Sequence, residues 1–316
     1  MGNGSKSAPK VQHLVVKEDA EGQRIDNYLL SRLKGVPKSW VYRVLRRGEV
    51  RVNKGRVKPT RRLQIGDQVR IPPLRMSETS AGPGPGAGIR RLISSSVLYQ
   101  DDDLIVVDKP SGVAVHGGSG VSFGVIEVLR AEMPDAPYLE LAHRLDRDTS
   151  GCLMLAKKRP ALQQLQKLQI AGKVQKRYLA LLKGRWRKDR VSVDAPLLKN
   201  ELKSGERVVR VDPRGKPSVT HFQVLRRFAN AMLVEARLET GRTHQIRVHA
   251  AHLGNPILGD EKYGDEEANR GFRDLGLKRL FLHACKLDLP WRGRPQGYHF
   301  ESPLPKALQD CVDKLS

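Results

Sequence analysis

Apolar side chains recur along this chain at two spacings, and the change from one to the other divides it. Ile25, Leu29, Leu30 and Leu33 fall at helical spacing, and Gly35 stops the run. Ser39 is placed to cap a second helix on which Val41, Val44 and Leu45 share one face, Arg43, Arg46 and Arg47 occupy another, and Gly48 ends the element. Short alternating strands follow around residues 50–52 and 63–71, with Asn53 to Gly55 as turn material. Beyond a stretch rich in Pro, Gly and Ser the pattern becomes that of strands, at residues 98–107, 139–141, 152–156, 178–182 and 232–238. Two helices are interspersed. Pro160 suits the first turn of one that runs to about Ile170, and Thr243 is placed to cap one that Gly254 ends.

These patterns predict a disordered tail over residues 1–13, a small folded unit over 14–74, a flexible linker over 75–89 and a larger α+β unit over 90–316. Composition adds a partner to this outline. The 316 residues include 57 Lys and Arg against 34 Asp and Glu, a net charge of +23, and 39% hydrophobic residues suffice for a packed core. Between Gly22 and Pro72 there are fourteen Lys or Arg and three acids, a net of +11, so nearly half of the excess lies in about a sixth of the chain. A basic helix face alone could be solvated surface; this concentration on a small module points to RNA or DNA. No run of about 18 apolar residues exists, so no membrane span is expected. Cys152, Cys285 and Cys311 are far apart with no CxxC pair, which argues against a disulfide scaffold or thiolate zinc site and for a cytoplasmic setting.

The larger unit carries the candidate chemistry. His143-Arg144-Leu145-Asp146-Arg147-Asp148 stands in a loop between two strand-like runs, a crowd of titratable groups that reads either as an active site or as a surface ion-pair cluster. Asp146 and Asp148 could form a carboxylate pair or hold magnesium, but their Arg neighbours would neutralise both without metal. His249 and His252 are three apart on a helix with no third ligand in view, so no metal site is expected. The glycines of the linker lack the GxxxxGK[ST] pattern of a phosphate loop. Those following His116 either simply connect elements or let backbone approach a ligand closely.

The segment GQRIDNYLLSRLKGVPKSWVYRVLRRGEVRVNKGRVKPTRRLQIGDQVRI resembles an S4 domain, a small RNA-binding fold. The strings DKPSGVAVHGGSG, HRLDRDTSGCLMLAKK, KRYLALLKG and LETGRTHQIRVHAAHLGNPILGDEKYG, in that order, resemble the pseudouridine synthases of the RluA type. Together the two resemblances span the chain from about residue 14. They imply an S4-like RNA-binding domain joined to a catalytic domain built on a bent, mostly antiparallel mixed sheet with flanking helices. They also imply an isomerase that makes pseudouridine in large-subunit (23S) ribosomal RNA, with no cofactor, acting as a cytoplasmic monomer on RNA or an assembling ribosomal particle.

The resemblance further implies roles. Asp146 becomes the catalytic carboxylate, Arg247 the residue that orients it through a planar fork able to hold a carboxylate bidentately, and Tyr178 the ring that stacks on the flipped uracil and assists loss of the C5 proton. Arg144 takes the space of the flipped base. RNA contacts are expected from Arg43, Arg46, Arg47, Arg51 and Lys54 on the small unit and from His116, Arg242 and His244 on the large one. A noncatalytic RNA-binding assembly factor is the alternative, and a base-excising glycosylase a third reading.

Overall fold

The computed structural model describes residues 11–33, 36, 38–73, 84–118, 121–136, 138–201 and 207–315. Most of the expected tail and linker therefore lies outside the described residues. Ordered structure nevertheless reaches into both, because β1 (Gln12–Val15) starts inside the expected tail and α3 (Ala87–Ser94) inside the expected linker. Chain contacts divide the protein into two compact units, residues 1–84 and 85–316.

In the first unit β1 leads through α1 (Ile25–Arg32) and α2 (Lys38–Arg47) to β2 (Arg51–Val52), β3 (Gly55–Arg56) and β4 (Gln68–Ile71). The strands form an antiparallel sheet in the order β1-β4-β2-β3. Val41, Val44 and Leu45 of α2 join Ile25, Tyr28 and Leu29 of α1 in one core. Arg43, Arg46 and Arg47 stand exposed on the opposite side of α2, as the spacing predicts. This helix begins at Lys38, so Ser39 lies inside its first turn and is not its cap. Asn53 and Lys54 both take positive φ, 49° and 67°, in a two-residue turn that pairs Val52 with Gly55 and lifts Lys54 to the hairpin tip.

The second unit runs from α3 through β5 (Val97–Gln100), β6 (Leu104–Lys109), α4 (Val125–Glu132), β7 (Glu140–Leu141), β8 (Ser150–Ala156), α5 (Arg159–Ile170) and β9 (Gln175–Lys183). It continues with β10 (Arg190–Asp194), the hairpin β11 (Leu197–Glu201) and β12 (Arg207–Val211), then β13 (Val219–Arg227), β14 (Ala231–Leu238) and α6 (Gln245–His252). Helix α7 (Glu266–Asp274), β15 (Leu282–Trp291), β16 (Arg294–Glu301) and α8 (Lys306–Asp313) complete it. Eight strands lie in the order β10-β13-β14-β9-β15-β8-β6-β5, with β16 on β15 and β7 on β8. Every pairing in this sheet is antiparallel except β15 with β8.

Strand β8 is buried along its whole length, which explains why its sequence is continuously apolar and does not alternate. Its side chains still divide by parity. Leu153 and Leu155 join Ile105 and Val107 in one core, whereas Cys152, Met154 and Ala156 join Leu104 and Val106 in another on the opposite face. The parallel contact of β8 with β15 pairs Gly151 with Ala284. It is close: Gly151 has φ +108°, and a Cβ there would stand 2.3 Å from the Ala284 carbonyl oxygen. Among the described residues no helix is long and apolar enough to cross a membrane.

Candidate active site

The loop that carries Asp146 leaves β7 and enters β8, and the DKPSG segment fastens it from beneath. Lys109 is fully buried, and its Nζ donates to the carbonyls of Pro110, Val113 and Arg147, each at 2.8 Å. Three acceptors match the three donors of an ammonium. Burial, helped by Arg279, pushes this group down to about 7, against the opposing charges of Asp148, Asp146 and Asp108. Ser111 Oγ donates to the Asp148 carbonyl at 2.7 Å, and the Gly112 N–H donates to that of Arg147 at 2.9 Å. At the far end of the loop, Arg279 Nη2 reaches Ser150 Oγ at 2.8 Å. Asp148 pairs with Arg147 at 3.2 Å and remains partly exposed. The expected alternative of an ion pair thus holds for Asp148, while Asp146 turns into a cleft.

The cleft has a volume of about 860 Å³ and brings together Asp146, Tyr178, Arg247, Arg144, His116, Arg242 and His244. Arg247 lies on α6 and is 7% exposed. Its two-pronged edge does not hold Asp146. Nε and Nη2 donate to Asp260 Oδ2 and Oδ1, both at 2.7 Å, and only Nη1 turns toward Asp146 Oδ2, at 3.6 Å. The expected bidentate grip is therefore on a different carboxylate, one the sequence reading did not single out. Asp260 also accepts the N–H groups of Lys262 and Tyr263, at 2.9 and 3.0 Å. Its burial opposes ionisation, but the Arg247 fork and those N–H groups outweigh it and hold the carboxyl below the usual carboxylate range. Burial works against the Arg247 charge as well, and the hydrogen bonds and charge of Asp260, with Asp146 behind, raise it.

Thr243 does not cap α6. The capping position falls to His244, whose backbone is left-handed at φ 55° and ψ 20° and whose side chain makes no cap bond. Gln245 organises the turn instead, its Oε1 accepting the Arg242 N–H at 3.0 Å and the Thr240 hydroxyl at 2.8 Å. His244 faces Asp146 Oδ1 through Nε2 at 3.8 Å and Tyr263 Oη through Nδ1 at 2.8 Å. The Tyr263 ring in turn underlies the Arg247 guanidinium at 5.1 Å. Asp260 and Tyr263 both come from the GDEKYG string, and a guanidinium buried as Arg247 is requires such an acid beside it.

Tyr178 is buried on β9, where burial and then the Asp146 charge raise its hydroxyl, so it is a neutral phenol. Lys176, two residues earlier on the strand, also lines the cleft, and burial lowers it to about 8. His143 is buried, accepts the Met154 N–H on Nε2 at 3.2 Å and is held neutral by burial well below the ordinary histidine range. Arg144, His116 and Arg242 are exposed at the cleft wall. Arg43, Arg46, Arg47, Arg51 and Lys54 are exposed as well, but on the other unit. His249 uses both ring nitrogens on Thr220 Oγ1 and the Ala195 carbonyl, at 2.8 and 3.0 Å. Among the described residues no cluster of three or more His, Cys, Asp or Glu could hold a metal.

Comparison with known proteins identifies the family of the chain. Residues 103–252 match the RNA pseudouridylate synthase family, and residues 23–69 the S4 domain. The chain is 52% identical to ribosomal large subunit pseudouridine synthase C of Escherichia coli (strain K12), over 97% of each chain. It is 56% identical to the protein of that name from Pasteurella multocida (strain Pm70), over 96% of this chain and 94% of the other. Among solved structures, human RNA pseudouridylate synthase domain containing 4 superposes with a TM-score of 0.60 at 30% identity, over 72% of this chain and 95% of that one. With such likeness over nearly its whole length, and with a fold that superposes on a solved relative, the chain belongs to the RNA pseudouridylate synthase family, isomerases that convert uridine in RNA to pseudouridine.

Proposed function

We propose that this chain converts uridines of large-subunit ribosomal RNA to pseudouridine, with Asp146 as the catalytic carboxylate. One observation carries the reading: Asp146 lies in a basic cleft facing one prong of a buried arginine whose other edge is locked by Asp260. An anion so placed is useful to glycosyl chemistry, whereas a pure RNA-binding surface gains nothing from a carboxylate among its cations. The reaction breaks the N1–C1′ bond, turns the uracil and joins C5 to C1′, after which the C5 proton leaves. Asp146 stabilises the electron-poor C1′, either by attack there or by taking a proton from C2′. The extracted uracil stacks on Tyr178, whose neutral hydroxyl takes the C5 proton while giving its own to water, so that it need not ionise first.

Arg144 fills the space of the flipped base. His116 and Arg242 hold flanking phosphates, and the arginines of α2, with Arg51 and Lys54 at the hairpin, grip the RNA backbone. The chain acts in the cytoplasm as a monomer and needs no cofactor. RNA bearing tritium at uridine C5 tests the assignment: the protein should release label to water and leave pseudouridine in the chain. Asp146→Asn should lower turnover by about 10⁴-fold or more with RNA affinity kept; turnover surviving in that variant would sink the assignment. Release of labelled free uracil would mark a glycosylase instead.

A further inference from the structure

His244 was expected to touch RNA, yet both of its ring nitrogens face protein groups, and its side chain is only 18% exposed. The hydrogen-bond partners favour one of the two nitrogens as the carrier of the hydrogen. Tyr263 Oη accepts the N–H of Val209, from β12, at 3.0 Å, and lies 2.8 Å from His244 Nδ1. With one lone pair of Oη engaged by Val209, the hydroxyl spends its single hydrogen best on Nδ1. A neutral imidazole that accepts on Nδ1 carries its own hydrogen on Nε2, and Nε2 points at Asp146 Oδ1. The opposite tautomer would crowd two donors onto Tyr263 Oη and leave the phenolic hydrogen to find another acceptor.

The ring is held neutral by its surroundings. Burial lowers its basicity first, and Arg247 and Lys262 lower it further, against the opposing carboxylates Asp146 and Asp260. Its backbone is one of three non-glycine positions with positive φ among the described residues, a conformation that costs about 1 kcal/mol or more and survives only where its surroundings enforce it. Those surroundings include the Tyr263 ring, edge-on to the imidazole at 5.4 Å.

We propose that His244 is a positioning residue for the catalytic carboxylate. As the Nε2–H tautomer, set by Tyr263 and through it by the Val209 N–H, it brackets Asp146 at Oδ1 while Arg247 brackets Oδ2. The proposal rests on the reading of Asp146 given above. Contacts of 3.6 and 3.8 Å are long for hydrogen bonds, and active-site contacts of this kind commonly tighten as the reacting complex forms. A donor on each oxygen stops the carboxylate from rotating and leaves the same lone pair aimed at the sugar in every turnover.

Two conservative variants separate the nitrogens. The amide N–H of Gln stands near Nε2, whereas that of Asn stands near Nδ1. Asn is also the better of the two in left-handed backbone, so folding favours the variant that should perform worse. In single-turnover assays His244→Asn should fall roughly 100-fold and His244→Gln by roughly tenfold or less, with RNA affinity unchanged in both. Nitrogen-15 NMR of the full-length protein with labelled histidine should show the His244 hydrogen on Nε2, and Tyr263→Phe should loosen that preference. Equal or better performance by Asn, a hydrogen on Nδ1, or a loss of RNA affinity large enough to account for the rate would each overturn the proposal. The NMR result does not depend on turnover, so failure here is distinguishable from failure of Asp146 as the catalyst.

Discussion

Arg46 on α2 and Arg247 on α6 carry the same guanidinium in opposite surroundings. Arg46 stands exposed on an amphipathic helix, whereas Arg247 is 7% exposed and joined by two 2.7 Å bonds to a carboxylate with no exposed side-chain surface. The first acts through the range of its charge, which salt screens and which tolerates imprecise placement. The second acts through geometry, and its charge is nearly cancelled by Asp260. The S4 unit buries Asp26 and Asp67 but leaves their arginine partners, Arg24 and Arg61, half exposed, whereas the catalytic unit buries both members of the Arg247–Asp260 pair. The two should therefore respond differently to the same kinds of change.

The largest effect on stability is expected at Asp260. Asp260→Ala leaves a buried guanidinium without its partner and should cost about 3–5 kcal/mol, with turnover lost as Arg247 drifts from Asp146; chemical denaturation and the tritium assay read both. Next comes Lys109→Met, which leaves the carbonyls of Pro110, Val113 and Arg147 without their shared donor. An expected loss of about 2–3 kcal/mol would appear in the same denaturation curves, with faster hydrogen exchange in the 143–150 loop.

Acid should separate the units more gently. Burial lowers His143, His249 and His283 in the folded catalytic unit, so they stay neutral there while the unfolded chain protonates them near pH 6.5. The unfolded state binds more protons, so this stability is complete above pH 6.5 and is lost as pH falls below it. The expected cost is at most about 1 kcal/mol for each such histidine between pH 7 and 5.5, largest for His143. In the S4 unit, burial of Asp26 is outweighed by hydrogen bonds from Arg24, the Asn27 N–H and Tyr42, which hold its carboxyl below the usual value of 3.8. That contribution is lost only as pH falls below about 3.8, so exchange measured by region at pH 5.5 should show only the catalytic unit loosened. The smallest change in stability is expected for the combined Arg43→Ala, Arg46→Ala and Arg47→Ala protein, within about 0.5 kcal/mol. Its RNA affinity should nevertheless fall, with the dependence of log K on log salt shallower by about two. An unaltered salt slope would erase the contrast between the units.

The parts of this arrangement legible in the sequence are those that depend on local spacing. The faces of α2 could be read from Val41, Val44 and Leu45 against Arg43, Arg46 and Arg47, and the crowding around Asp146 marked its loop. The clamp beneath was not legible in the same way. Lys109 stands just past the strand expected at residues 98–107, and its three acceptors come together only when a loop 38 residues later folds over it. Asp260 lay in a quoted motif, but nothing local to residue 260 reports that Arg247 is buried and needs it. Thr243 failed as a cap because the chain enters α6 through a left-handed His244, a choice made by tertiary contacts against local preference.

The parallel pairing of Gly151 with Ala284 also has a consequence in time. The sheet of the S4 unit closes between residues 12 and 71, whereas β8, already paired with β6, gains its parallel neighbour only at residue 284, more than 200 residues after residue 71. At typical rates of synthesis this interval is on the order of 10 to 40 s. A nascent chain accordingly completes its RNA-binding unit well before it completes the wall of its cleft, and the newborn protein can hold RNA before it is able to change it.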